Sequence, residues 1–260
     1  MGTLEFDESA ARGVERTYAT PDVVAQRAQV LELLVPQAGE RVLDVGSGPG
    51  FLAQSLGEAV GPTGAVHALD PSAPMNTLAR ARCGRLPWIS VDEGDALAMP
   101  YPEATFDAGV STQVYEYVPD MPAALTELRR VLRRGGRALV LDTDWDSLVW
   151  HTRDRELHRR VMAAWEEHLA DARLPRRLAG LLRRAGFEVC AQRVLVLFNP
   201  TLHAQTYSGN VMDLIAEFVT GRQGLTAADA EAWLADLRAR DDEGDYLFSL
   251  NRYVFLATAT

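Results

Sequence analysis

The stretch Val42-Leu43-Asp44-Val45-Gly46-Ser47-Gly48-Pro49-Gly50 is a short apolar run that breaks into three alternate glycines just before a segment with helical spacing. A strand that turns this abruptly into a helix needs residues free to adopt unusual backbone angles. Glycines there also let a ligand approach the main chain closely. The chain is thereby committed, from residue 42 onward, to a strand–turn–helix unit with a candidate ligand loop in its turn.

The surrounding segments repeat the alternation. Residues 20–35 read as a helix that Thr20 or Asp22 can cap, with Val23, Val24, Val30, Leu31 and Leu34 as its apolar stripe; Pro36 and Gly39 end it. Helical spacing recurs at 51–60, 74–83 and 121–132, the last stopped by Gly135-Gly136. Strands fall at 64–70, near Trp88 to Val91, at 105–112 and at 137–142. Short apolar strands alternating with helices predict a parallel sheet with helices on both faces. Beyond residue 142 the rhythm changes. A charged helix at 153–172 and a second at 175–185, closed by Gly186, precede a strand at 187–198. Helices near 203–219 and 226–240 follow, the latter capped by Thr226 with Asp229 three residues on, and a last strand spans 245–258. About 45 residues of helix between two strands exceed an ordinary connection, which suits a lid or pocket wall.

Composition narrows the function classes. The 260 residues, 47% hydrophobic, suffice for a packed core. With 36 acidic against 26 basic residues the net charge is −10, which argues against nucleic acid and against anionic membrane surfaces as partners. Every basic residue is arginine, so Schiff-base or lysine-base chemistry is excluded. Cys83 and Cys190 are too few for a disulfide framework or a typical zinc site, and the five histidines show no metal-ligand spacing beyond a loose pair at His151 and His158. No metal is expected. The acidic N-terminus is unlike a signal peptide and no stretch approaches a membrane span, so a cytoplasmic location is the default.

Two features refine the ligand. Asp70 ends the next strand, where an acid can accept hydrogen bonds from both ribose hydroxyls, although a turn role beside Pro71 and Ser72 would also place an aspartate there. A dinucleotide fingerprint reads G-x-G-x-x-G, whereas here the third glycine arrives one position early and Pro49 removes a backbone N–H that a pyrophosphate would use. In this order and spacing the sequence resembles the class I S-adenosylmethionine-dependent methyltransferases. VLDVGSGPG is similar to their first motif and HALDPS (67–72) to their second. EGDALAMPYPEATFDAGVSTQVYEYV (93–118) is similar to their third and fourth, and LRRVLRRGGRALVLD (128–142) to the helix and strand that follow. The style is that of the ubiquinone/menaquinone-biosynthesis and natural-product branch.

The resemblance implies a Rossmann-like α/β fold: a seven-stranded, mostly parallel sheet with an antiparallel last strand, helices on both faces and helical lid insertions. Residues 1–260 would form a single domain, with 38–145 binding the cofactor and 146–175 and 199–244 covering the substrate. It implies S-adenosylmethionine as cofactor. Gly46, Gly48 and Gly50 would pass beneath its methionine part, with Ser47 bonding the carboxylate or amine. Asp70 would hold the ribose, and Pro71, Ser72 and Met75 would line the adenine side. Asp95 would accept the adenine amino group, the Ala96 amide would meet the ring, and Gln113 would lie at the sulfonium end. Asp44 would bind the amino group indirectly or fix the loop.

Ligands of open parallel sheets bind beyond the carboxyl ends of the strands, where three polar clusters fall: Gln113, Tyr115, Glu116 and Tyr117; Asp142, Asp144, Trp145 and Asp146; and Tyr18 with Gln26 and Arg27. By that position Asp144 or Tyr18 is the candidate base or substrate anchor, and Trp145 and Tyr115 are candidate pocket walls. Arg27 is either a partner for the cofactor carboxylate or a solvated helical residue. The expected activity is methyl transfer to a small-molecule acceptor at oxygen, nitrogen or carbon, with a homodimer left open. Three other readings share parts of the pattern: a non-methylating reaction such as a cyclisation that keeps the cofactor structurally, a macromolecular methyltransferase, and a nicotinamide oxidoreductase.

Overall fold

The protein is described by a computed structural model covering residues 8–260. Two helices, α1 (Glu8–Tyr18) and α2 (Pro21–Leu34), precede the first strand. The alternating half then runs β1 (Arg41–Val45), α3 (Phe51–Val60), β2 (Ala65–Asp70), α4 (Ala73–Cys83), β3 (Ile89–Glu93), β4 (Phe106–Thr112), α5 (Met121–Val131) and β5 (Leu132–Thr143). The remainder comprises β6 (Val149–Trp150), α6 (Arg155–Trp165), α7 (Pro175–Arg184), β7 (Phe187–Asn199), α8 (Tyr207–Val219), α9 (Ala227–Asp242) and β8 (Phe248–Ala259).

The sheet order is β3-β2-β1-β4-β5-β8, with β7 on the far side of β8 and the two-residue β6 pairing the start of β8. The first five strands are parallel, and β8 runs antiparallel to both β5 and β7. This is the mostly parallel sheet with an antiparallel last strand that the resemblance implies, extended by the short β6.

Successive side chains of a strand point to opposite faces, so a doubly covered strand must be apolar throughout. In β1, Val42 packs with Val66 and Val110 under α2 and α3, while Leu43 and Val45 join Leu69 and Val140 under α5 and α7. A third cluster lies apart from these two. Trp145, Trp150, Trp165 and Trp233 pack there with α6, α8, α9 and the start of β8. The two late helical stretches therefore share one apolar core.

Two boundaries differ from the sequence pattern. Helix α5 ends at Val131, not at the glycines, because Leu132 leaves the helix to pair Phe106 and is buried. Residues 133–136 then loop out before pairing resumes at Ala108↔Arg137, and Gly135 takes a φ of +77°. The charged helix stops at Trp165 and gives way to a 3-10 turn, after which the Ala170 and Asp171 N–H groups both donate to the Glu116 carbonyl, at 2.9 and 3.0 Å. Helix α1 has no counterpart in the pattern at all.

Gly50 closes the loop after β1 with a φ of +81°, and an added Cβ would stand 2.9 Å from Ala79 Cα and Cβ in α4. Gly50→Ala is therefore expected to destabilise the fold by about 2–4 kcal/mol, combining left-handed backbone cost with overpacking. Urea denaturation measures it, and a loss below about 1 kcal/mol would show that α4 yields easily.

Candidate active site

The strands β1, β2 and β4 end side by side, and their loops build the site. After β1 the Gly46 and Ser47 N–H groups donate to Leu69 O (2.7 and 3.1 Å), folding the loop over the end of β2. A Cβ on Gly46 would fall 2.2 Å from Val114 Cγ2, so only glycine fits there. At Gly48, with φ +52°, an added Cβ meets no protein atom within 4 Å. That side of the loop is open to a ligand.

Asp70 fastens the arrangement. Its Oδ2 accepts from Gly48 N and its Oδ1 from Ser72 N, each at 2.8 Å, while its carbonyl accepts from Asn76 Nδ2 at 2.9 Å. Burial pushes its pKa up, and the Ser72 and Gly48 N–H groups oppose that shift. Each carboxylate oxygen keeps acceptor capacity beyond its one N–H.

A cavity of about 450 Å³ opens here. Gly46, Gly48, Asp70, Pro71, Ser72, Met75, Asp95, Ala96 and Gln113 line it, as does Tyr18 from α1. Gln113 holds a φ of +57°, with its N–H on Leu141 O at 2.7 Å. Ser47 instead lines an adjoining pocket of about 40 Å³, together with Gln26, Arg27, Asp44 and Phe51. Among the described residues, Asp44 Oδ2 and Ser47 Oγ are buried with no hydrogen-bond partner.

Other candidates lie elsewhere. Gly50 lines neither cavity; it is the contact between the loop and α4, as its crowding against Ala79 shows. Asp144 is a correction: its carboxylate takes two bonds from Arg176, at 2.7 and 3.0 Å, and accepts from Asp146 N at 3.2 Å. It fixes the turn after β5 and does not line the cavity. Tyr115 points into the core beside α5, whereas Trp145 does line the cavity. Glu116 and Tyr117, from the polar cluster expected after β4, complete the wall together with two residues that sequence reasoning did not single out, Trp165 from α6 and Tyr207 from α8.

Arg82 braces the rim. Its Nε donates to Pro49 O (2.8 Å), its Nη2 pairs Glu15 of α1 (2.5 Å), and its guanidinium lies 3.4 Å from the Phe51 ring centroid. Among the described residues no cluster of three or more His, Cys, Asp or Glu is arranged to hold a metal, and no helix is long and apolar enough to cross a membrane.

Comparison with known proteins agrees with this geometry. Residues 43–140 match the family model described as a methyltransferase domain. An uncharacterized transposon-borne protein of Streptomyces fradiae is 32% identical over 98% of this chain and 70% of its own length. A 2-phytyl-1,4-naphtoquinone methyltransferase of Synechococcus elongatus is 40% identical over 40% of this chain, a match spanning 46% of that relative. Among solved structures, a putative methyltransferase of Bacillus halodurans has the same fold, with a TM-score of 0.64 at 18% identity, covering 91% of this chain and all of that one.

Burial first, and the charge of Asp70 second, push the Asp44 carboxyl up to about 7 from its ordinary 3.8. Below 3.8 both folded and unfolded chains hold the proton; between 3.8 and about 7 the unfolded chain loses it first, so stability falls as pH rises through that window. Asp44→Asn should remove this slope and gain up to about 4 kcal/mol at neutral to alkaline pH, at 1.36 kcal/mol per unit. Urea titrations at about pH 4 and pH 8 test this, and an undiminished slope in the variant would contradict it.

Proposed function

The chain belongs to the class I S-adenosylmethionine-dependent methyltransferases, and on that premise we propose that it methylates a small-molecule acceptor seated among the aromatic walls of its cavity. The observation that carries this reading is Asp70: a buried carboxylate at the end of β2, tied to the glycine loop yet with acceptor capacity to spare, beside a loop face that lacks any neighbour.

The residues suit the cofactor. S-adenosylmethionine, when bound, supplies an electrophilic methyl group on a sulfonium. Asp70 holds the ribose hydroxyls, while Pro71, Ser72 and Met75 line the adenine side. Asp95 accepts the adenine amino group and Ala96 offers its N–H. The open face of Gly48 admits the methionine part against the backbone. The orphaned Asp44 Oδ2 and Ser47 Oγ fit an ammonium, and Arg27, which shares their pocket, fits a carboxylate. Residues 146–175 and 199–244 act as the acceptor-side cover, through Trp165 and Tyr207. Because the displacement is in line, alignment of nucleophile, carbon and sulfur supplies much of the acceleration.

Isothermal titration with S-adenosylmethionine and S-adenosylhomocysteine tests the reading. Asp70→Ala deletes two charge-assisted bonds and should weaken binding about hundredfold or more. No binding to the intact protein would overturn it. An ammonium placed beside Asp44 also expels its proton, so binding at about pH 6 should release a proton, and Asp44→Asn should not. Titrations in buffers of different ionisation heat report this. Radiolabelled methyl transfer to an acceptor separates methylation from a reaction that keeps the cofactor intact.

A further inference from the structure

Resting on the methyl-transfer reading above, we propose that Glu116 takes the proton from the acceptor, and that the acceptor presents a phenol-type hydroxyl on a flat apolar ring. Glu116 sits in the 3-10 turn after β4, is 1% exposed, and nonetheless lines the cavity. The end of β5 and the turn after α6 fix it. Its N–H donates to Asp142 Oδ1 (3.3 Å), its Oε2 accepts from Thr143 N (3.2 Å), and its carbonyl receives Ala170 and Asp171. The Thr143 N–H and the neighbouring Trp145 indole still leave the carboxylate with lone pairs for a ligand.

The walls choose the class. Tyr18, Tyr117, Tyr207, Trp145 and Trp165 line the same cavity, and their rings suit a planar apolar ligand. Aromatic walls with one acid would equally suit an alkylammonium, so the surrounding donors decide. Arg252 is fully buried, with Nη1 on Gln26 Oε1 (2.7 Å) and its guanidinium 4.7 Å from the Tyr207 ring centroid. Arg252 stands behind Tyr207 and outside the cavity lining, whereas Trp165 does line it, and among the described residues the Trp165 indole N–H lacks a partner. An ammonium only donates and cannot satisfy that N–H, whereas a phenol oxygen accepts. The buried guanidinium also repels a cation and favours negative charge gathering on the acceptor oxygen.

The groups facing Glu116 leave it free to titrate. Burial raises Tyr18 to about 12 and pushes Tyr117 and Tyr207 upward, so all three stay protonated near neutrality. Burial, then the charge of Glu116, drives Asp142 well above the carboxylate range. Glu116 itself rises to about 7 through burial, against the pull of Arg252. Above that pH it is ionised and can accept a proton. The phenol proton passes to the Glu116 carboxylate, the oxygen lone pair forms the new bond to the methyl carbon, and the C–S pair returns to sulfur, leaving a thioether. Glu116 then gives its proton to water.

Calorimetric titration of the full chain with 4-methylphenol, and separately with benzyltrimethylammonium, tests this without turnover. Phenol affinity should rise roughly tenfold as pH passes through 7, the strength of one charge-assisted bond. Glu116→Gln should flatten that rise; its amide oxygen can keep the Thr143 N–H, so the fold survives. Asp44→Asn, which removes the other carboxyl titrating near 7, should retain the rise. With S-adenosylmethionine present, Glu116→Gln should lower kcat for 4-methylphenol about hundredfold or more at unchanged KM for S-adenosylmethionine, and Glu116→Asp should recover part. Tighter binding of the ammonium probe, no phenol binding at any pH, or a pH dependence that survives Glu116→Gln would overturn the proposal. Failure to bind S-adenosylmethionine would instead sink the methyl-transfer reading and leave the phenol titration standing.

Discussion

One carboxylate organises the cofactor side of this protein. Asp70 receives the Gly48 amide on one oxygen and the Ser72 amide on the other, so the loop after β1 and the start of α4 are both referred to the end of β2. Its own carbonyl is held by Asn76, one turn into that helix. Such charge-assisted bonds contribute about 1.5–3 kcal/mol each, and an unpaired carboxylate in this position would be costly. The glycine angles, the entry of α3 and the placement of the cavity follow from that anchor.

Around it the protein places acids in apolar surroundings without pairing them fully. Asp44, Glu116 and Asp142 are all at most 1% exposed, and all are driven upward by burial. A sheet covered on both faces supplies the low-polarity setting, and only at its carboxyl edge does the backbone offer N–H groups to moderate it. Acids left so poised belong to ligand handling more than to stability.

The sequence made the alternating half legible because strands buried on both sides read as short, mainly apolar runs and the glycine loop has a fixed spacing. The cofactor-side candidates Asp70, Met75, Asp95 and Ala96 do meet at one cavity, since each sits at or just beyond a strand end. Asp144 misled for a physical reason: its position after β5 is visible, but its partner Arg176 lies 32 residues on. Glu116 was visible within STQVYEYV, yet an irregular turn gives no periodicity from which to tell the inward side chain from its neighbours. Tyr207 and Trp165 come from helices whose apolar stripes serve the third core, so nothing in their spacing marks them as cavity residues. Helix α1 is short and largely polar, and its meaning emerges only from what it covers.

One guanidinium ties that cover to the glycine loop, beside its packing on α8 and α2. Arg82 joins Glu15 of α1 to the Pro49 carbonyl and rests on Phe51. Only the first of these contacts is an ion pair between half-exposed groups, and it is therefore the one that dissolved salt weakens. Val14, Thr17 and Tyr18 of the same helix line the cavity, so this tie joins the loop to a wall of the site. Dissolved salt therefore acts on the tie between cover and loop and leaves the packing of α1 against α8 in place.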